Sequence, residues 1–292
     1  MRSSLYTLKA FQAGRLLAKV LPRAAIEGIA HAIGSASYNR RPQLRSVLRG
    51  NLGPVSGLSG MELDRLCAKN VTHFSRMVGD YFYSASRTPE QALRLIGEWR
   101  GYEHLERARA LGKGVIVVTA HLGNWELGGI LLAQRGLPMT VITLDEPSTA
   151  LTEWRDSYRQ RAGMKTIAVG PGRDFAFVEM IQTLRRNECV AMLVDRPYGN
   201  TGLPVQLCGR ETEFSSAPAL LWQHTEAAVV PAFLAHDARG HYVSFAEPIV
   251  QMQRSGKARE ALHANTQAVA TAFENVIRQY PEQWFHYVPI WN

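Results

Sequence analysis

Apolar residues recur at three- and four-residue steps through the first third of the chain, as at Leu63, Cys67, Val71, Phe74, Val78 and Phe82. That period predicts helices over residues 5 to about 95, interrupted by a loop at 54–60, "PVSGLSG". After Gly101 the pattern changes. Short apolar, often β-branched runs at 114–120, 139–143, 165–169, 189–195, 228–235 and 242–249 predict strands. Between them lie "WELGGILLAQRG", "ALTEWRDSYRQRAG", "DFAFVEMIQTLRRN" and "SAPALLWQHTE", each long enough for a helix, and a closing helix falls within "REALHANTQAVATAFENVIRQYPEQW". Alternating strands and helices imply an α/β architecture: a central, mostly parallel or mixed sheet flanked by helices, with an N-terminal helical region. The expected division is 1–100 for the helical region and 101–292 for the α/β core. At 292 residues, one integrated domain is the simplest arrangement.

The first helical stretch has a second property. In "LKAFQAGRLLAKVLPR", Lys9, Arg15 and Lys19 fall on one helical side, while Phe11, Leu17, Val20 and Leu21 fall largely on the other. This suits an amphipathic helix lying in a membrane interface, and equally a surface helix packed on the protein's own core. The charges keep the stretch short of the roughly 20 apolar residues that span a bilayer. The N-terminus also lacks the uninterrupted apolar core and small-residue cleavage site of a signal peptide.

Charge narrows the choice of partners. The chain carries 33 basic against 25 acidic residues, a net +8, which calls for a polyanion. No helix-turn-helix, zinc-finger or RNP pattern is present, so nucleic acid is not the expected partner. Anionic membrane lipid is, at roughly 1 kcal/mol per basic residue near the headgroups, and Arg40, Arg41, Arg45 and Arg49 form a fitting cluster. The three cysteines, Cys67, Cys189 and Cys208, have no CxxC spacing and read as reduced, packed thiols.

The sharpest chemical feature is "VIVVTAHLGNWELGG" at 115–129, where an apolar strand runs straight into His121, Asn124 and Glu126. In open α/β sheets ligands collect where strands end and helices begin. On one continuous helix His121 and Glu126 would sit about 140° apart at roughly 100° per residue. With His121 in the turn and Asn124 as N-cap, Glu126 falls in the first helical turn and its carboxylate can fold back onto the imidazole. A carboxylate partner fixes the tautomer of a His and makes it a better base near neutral pH.

These residues resemble the lysophospholipid acyltransferase superfamily, in the branch of late lipid A acyltransferases and mycobacterial phosphatidylinositol mannoside acyltransferases. The H-x-x-x-x-E box of that branch is matched by His121 to Glu126. Its further blocks resemble "RSVLRGNL" at 45–52, "YRQRAGM" at 158–164, "LVDRP" at 193–197, "AAVVPAF" at 227–233 and "YPEQWFHYVPIW" at 280–291. The resemblance implies direct transfer of a fatty acyl group from an acyl-carrier-protein or coenzyme A thioester to a lipid hydroxyl, without a further cofactor or a metal. His121 is then the base and Glu126 its orienter. Asn124, Arg159, Asp195 and Arg196 are the implied substrate contacts, with Arg161 competing for the role of Arg159. The implied location is peripheral, at the cytoplasmic face of a bacterial inner membrane. At 200–214, "NTGLPVQLCGRETEF" has Leu207 and Cys208 where the lipid A enzymes carry paired aromatics, which leaves the acceptor open.

The residues agree with direct transfer on other grounds. There is no G-x-S-x-G elbow for a serine acyl-enzyme and no H-E-x-x-H for a zinc hydrolase. A thioesterase or lipid hydrolase using the same His to activate water, and a non-catalytic lipid-binding protein, are the alternatives.

Overall fold

The computed structural model describes residues 7–146, 148–199, 201–254 and 256–291. Residues 5 and 6, at the start of the expected helical region, and Asn200 and Asn292 lie outside the described residues. The first hundred residues form α1 (Leu8–Val20), α2 (Arg23–Arg40), α3 (Pro42–Ser56), α4 (Gly60–Ala85) and the short α5 (Pro89–Leu93). Helix α3 runs through the expected loop at 54–60 as far as Ser56, although Pro54 has no N–H to give to the carbonyl of Gly50. Trp291 makes good that loss, its indole Nε1 donating to Gly50 O at 3.0 Å. The helix then stops at Gly57, whose φ of 69° is left-handed.

The remainder alternates as the pattern requires: β1 (Ile96–Arg100), α6 (Tyr102–Ala110), β2 (Val115–Thr119), α7 (Trp125–Gln134), β3 (Met139–Leu144), α8 (Thr149–Arg161), β4 (Lys165–Val169), α9 (Ala176–Arg185), β5 (Cys189–Leu193), β6 (Gly202–Leu207), β7 (Arg210–Ser215), α10 (Ala217–Thr225), β8 (Ala228–His236), β9 (Tyr242–Ala246) and α11 (Ala258–Gln279). Among the described residues seven strands form one sheet in the order β1-β9-β8-β2-β5-β3-β4. The pairings are parallel except for the β8–β9 hairpin. The strand expected at 242–249 ends at Ala246, short of Pro248, which cannot donate to a ladder.

Two features had no strong signal. The edge strand β1, "IGEWR", carries too little apolar periodicity. The β6–β7 hairpin hides its alternation behind Pro204 and three glutamate or glutamine residues, yet buries Val205, Leu207, Thr212 and Phe214 on one face. Its turn is Cys208-Gly209, both at positive φ, as a tight hairpin with right-handed strand twist demands.

The sheet is covered on both faces. Ile116, Val118, Val190 and Met192 pack with Leu48 and Leu52 of α3, Leu63 and Cys67 of α4, and Phe273 of α11. Val115, Val117, Cys189 and Val230, of opposite parity, pack with Ile130 and Leu132 of α7 and Tyr158 of α8. In α1, Phe11 is turned inward against Tyr81, Phe82 and Trp154, whereas Leu16, Leu17 and Val20 are exposed. The helix thus packs on the protein's own core and still presents an apolar strip to the outside.

Helices α3 and α4 also fasten the end of the chain. Asn51 Nδ2 donates to the carbonyls of His286 and Val288 at 3.0 and 2.8 Å, and Asn70 Nδ2 donates to that of Trp284 at 2.7 Å. Both asparagines are buried. Replacing either with Leu strands buried carbonyls, so Asn51→Leu and Asn70→Leu are each expected to cost about 1–3 kcal/mol, read as a lower urea midpoint at unchanged m-value.

Candidate active site

Strands β2 and β5 are parallel neighbours in register, with Val115 opposite Cys189 and Thr119 opposite Leu193. Extending each strand by two residues places His121 beside Asp195. The ladder reaches that far, since Val194 N donates to Thr119 O at 3.1 Å. His121 Nδ1 lies 2.8 Å from Asp195 Oδ1, and the backbone N–H of His121 donates to the same carboxylate at 2.9 and 3.1 Å. The other oxygen accepts from Trp284 Nε1 at 2.9 Å and from His286 Nε2 at 2.8 Å. A carboxylate can only accept, so Nδ1 of His121 carries the proton and Nε2 is the free base.

Asp195 is buried, and burial alone would raise its pKa. His121 and His286 outweigh that effect and hold its carboxyl well below the usual carboxylate range. For His121, burial is the largest influence and lowers the pKa. Asp195 opposes it, Arg196 and His286 reinforce it, and the net shift is downward. The imidazole therefore stays unprotonated to lower pH than a free one.

The turn carrying His121 is clamped on two sides. Gly123 N donates to Gln283 O at 2.9 Å, Phe285 N donates to His121 O at 2.7 Å, and Leu122 bridges Trp284. From β8, Leu234 O accepts from Asn124 N at 2.8 Å. Gly123 has φ +62°, and a Cβ there would lie 1.9 Å from Leu234 O. Only glycine fits that position.

Glu126 has different partners from those expected of it. It sits in the first turn of α7, but its carboxylate turns to α8, where Arg159 Nη2 donates at 2.5 Å and Nε at 3.3 Å, and Arg155 also donates. Arg155 further pairs with Glu146. Burial would raise the pKa of Glu126, yet the two arginines bring it down to about 2. The carboxylate that holds His121 is Asp195, because strand register brings that residue to the ring while the α7 cap directs Glu126 sideways.

Other predicted contacts are distributed unevenly. Asn124 is fully buried; its Oδ1 caps α7 by accepting from Leu127 N at 3.1 Å, and its Nδ2 donates to Tyr242 Oη. Arg159 lines the cavity but is buried and taken up by Glu126 and Asp156, whereas the competing Arg161 does not line it. Arg196 lines the cavity and donates to Phe285 O at 2.9 Å. Sequence reasoning missed Trp284 and His286 as partners of Asp195; the "WFH" triplet near the chain end was the only available signal.

The cavity itself is about 1010 Å³ and opens at the C-terminal ends of the strands. Val117, Leu132, Met139, Val141, Met164 and Leu234 give it apolar walls between the sheet and α7, and Gly128 and Gly129 leave room beside the helix. His121, Arg196 and the Arg173–Asp145 ion pair also line it. His121, Asp195 and His286 also bring three potential metal-ligand atoms within 4.8 Å of one another. The indole and backbone N–H groups aimed at the same carboxylate fit a hydrogen-bonded anion and would face a cation with their positive ends.

Such a base over an apolar cavity matches what comparison of the whole chain reveals. The family model for bacterial lipid A biosynthesis acyltransferases covers residues 5–292. The chain belongs to that family. It is 28% identical over 288 residues to a phosphatidylinositol mannoside acyltransferase of Mycobacterium tuberculosis (strain CDC 1551 / Oshkosh), covering 97% of this chain and 87% of the relative. The corresponding protein of Mycolicibacterium smegmatis is 26% identical over 285 residues, covering 96% and 90%. A lipid A biosynthesis acyltransferase of Haemophilus influenzae is 26% identical over 197 residues, covering 66% and 58%. The family identifies the protein as an O-acyltransferase of the lipid A and phosphatidylinositol mannoside type.

The two carboxylates are separable by experiment. With His121 acting as base, Asp195→Asn, which removes the acceptor that sets the His121 tautomer, is expected to lower kcat by about 10²- to 10⁴-fold and to move the acid limb of the kcat/KM profile. Glu126→Gln leaves Arg155 and Arg159 short of a buried counter-charge, costing about 3–5 kcal/mol of stability, while the acid limb stays in place. A shift of that limb in Glu126→Gln alone would reverse the assignment.

Proposed function

We propose that the protein transfers a fatty acyl group from an acyl thioester to a hydroxyl of a membrane lipid, with His121 as general base and Asp195 as the group that orients it. The observation that carries this reading is that His121, held by Asp195, lines a cavity of about 1010 Å³ with largely apolar walls. The thioester carbonyl lies near Nε2 of His121 with its hydrocarbon tail among Val117, Leu132 and Met139. Nε2 accepts the acceptor's hydroxyl proton as the oxygen attacks the carbonyl carbon, forming the C–O bond. The C–S bond then breaks, and the thiolate leaves with the proton from the imidazolium. No covalent acyl-enzyme is needed, and no further cofactor enters these steps.

The donor is an acyl-carrier-protein or coenzyme A thioester, both of them acidic partners for a chain of net charge +8. The acceptor is a phosphoglycolipid or lipid A precursor, by analogy with the relatives' names. Arg196 is an exposed cation lining the cavity that fits an anionic headgroup, since Arg159 is committed to Glu126 and Arg173 pairs with Asp145. Among the described residues no helix is long and apolar enough to cross a membrane. Leu16 and Val20 on α1, Leu144 and Tyr198 in the cavity lining, and Phe175 and Val178 close in sequence to its lining residues Ala176 and Phe177 are exposed apolar groups for a peripheral contact. At a bacterial inner membrane that contact would lie on the cytoplasmic face.

Mass spectrometry of total bacterial lipids incubated with an acyl thioester and either wild-type protein or His121→Ala tests the proposal. A lipid that gains one acyl mass with wild type alone is the expected outcome. Free fatty acid released at the same rate without an acceptor would instead establish a hydrolase. Sedimentation with anionic vesicles is expected to weaken as salt rises, as an arginine-driven contact must; undiminished binding at molar salt would point to apolar insertion.

A further inference from the structure

His286 belongs to the C-terminal segment and is 1% exposed. Its Nε2 lies 2.8 Å from Asp195 Oδ2, across the carboxylate from His121, and the two imidazole centroids are 5.9 Å apart. Its Nδ1 is buried and has no hydrogen-bond partner among the described residues. An orphaned lone pair in such a place costs less than an orphaned N–H on a positively charged ring. The tautomer with its proton on Nε2 alone therefore fits, and that proton points at Asp195. The ring is further held by Trp284, 4.6 Å away between centroids, and by Asn51, whose side chain fixes the local backbone by donating to the His286 carbonyl.

Trp284 and His286 thus donate to the same oxygen of Asp195 from one short segment. The His121 backbone N–H already donates to both oxygens, and the indole and the imidazole add two side-chain donors at Oδ2. With the His121 backbone N–H, these two donors two residues apart limit rotation of the carboxylate and keep Oδ1 2.8 Å from Nδ1 of His121. We propose that His286 is a positioning residue for the acyl transfer: it donates Nε2–H to Asp195 and through that carboxylate sets the tautomer and aim of His121. The proposal rests on the reading of His121 as base.

The test compares His286→Phe, which keeps a ring and loses the donor, with His286→Gln, whose side-chain amide nitrogen can reach the place of the imidazole Nε2. Both are first matched to wild type by thermal melting. His286→Phe is expected to lower kcat about 10- to 100-fold with KM for the thioester nearly unchanged, and to move the acid limb of kcat/KM. His286→Gln is expected to restore most of kcat and return the limb. Proton NMR supplies a readout independent of turnover: the downfield Nδ1–H resonance of the His121–Asp195 hydrogen bond, assigned by its loss in His121→Ala, should broaden or shift in the His286→Phe protein and recover in the His286→Gln protein. Unchanged kcat and an unchanged resonance in a folded His286→Phe protein would overturn the proposal, as would equal impairment by the two substitutions with the resonance unmoved. If wild type transfers no acyl group, the acyltransferase reading fails on its own, and the resonance still decides the positioning role.

Discussion

One carboxylate holds this site together. Asp195 accepts from the backbone N–H and ring of His121, from the indole of Trp284 and from the imidazole of His286. Those donors come from the end of β2 and the last residues of the described chain, while Asp195 itself follows β5. A buried carboxylate with fewer donors would take up a proton and stop directing the base. The sheet register, the glycine at 123 and the asparagines of α3 and α4 all serve to keep these donors in place. The N-terminal helices, distant from the site in sequence, are therefore part of its construction.

A second buried charge network stands on the other side of α7. Glu126 joins the start of that helix to Arg155 and Arg159 on successive turns of α8, and Arg155 extends the link to Glu146. Such a network is expensive to desolvate and strongly destabilising to break, so it specifies geometry more than it adds stability. What it specifies is the spacing of α7 and α8 at the cavity mouth. The H-x-x-x-x-E spacing thus serves two structures at once: its histidine faces Asp195, and its glutamate braces the wall of the cavity.

Much of this is legible in the chain itself. The α/β alternation, the position of His121 at a strand end and the cap at Asn124 follow from local pattern. The family resemblance implies Asp195 and Arg196 as substrate contacts, and of these Arg196 lines the cavity while Asp195 is buried against His121. The partner of His121 does not follow from local pattern, because it depends on which strands are neighbours. β2 and β5 are separated by two other strands in sequence, and hydrophobic period carries no information on that order. The same holds for His286, which reaches Asp195 from 91 residues away along the chain. Edge strand β1 and the β6–β7 hairpin are hidden for a different reason: their residues answer to neighbours on one face, and their composition is polar.

The proposed chemistry combines a largely apolar cavity with a histidine whose pKa burial lowers. A histidine in such surroundings would, without a partner, be a poor base, since the imidazolium formed on proton transfer would be left in a medium that cannot solvate it. Asp195 supplies the missing counter-charge at the moment it is needed, and its other donors prevent it from taking the proton itself. Water-free walls alone would favour an inert site, and a solvated His–Asp pair alone would favour hydrolysis. Joined in one cavity of about 1010 Å³, they suit the proposed transfer, in which a hydrocarbon tail would exclude water and a lipid hydroxyl would supply the nucleophile.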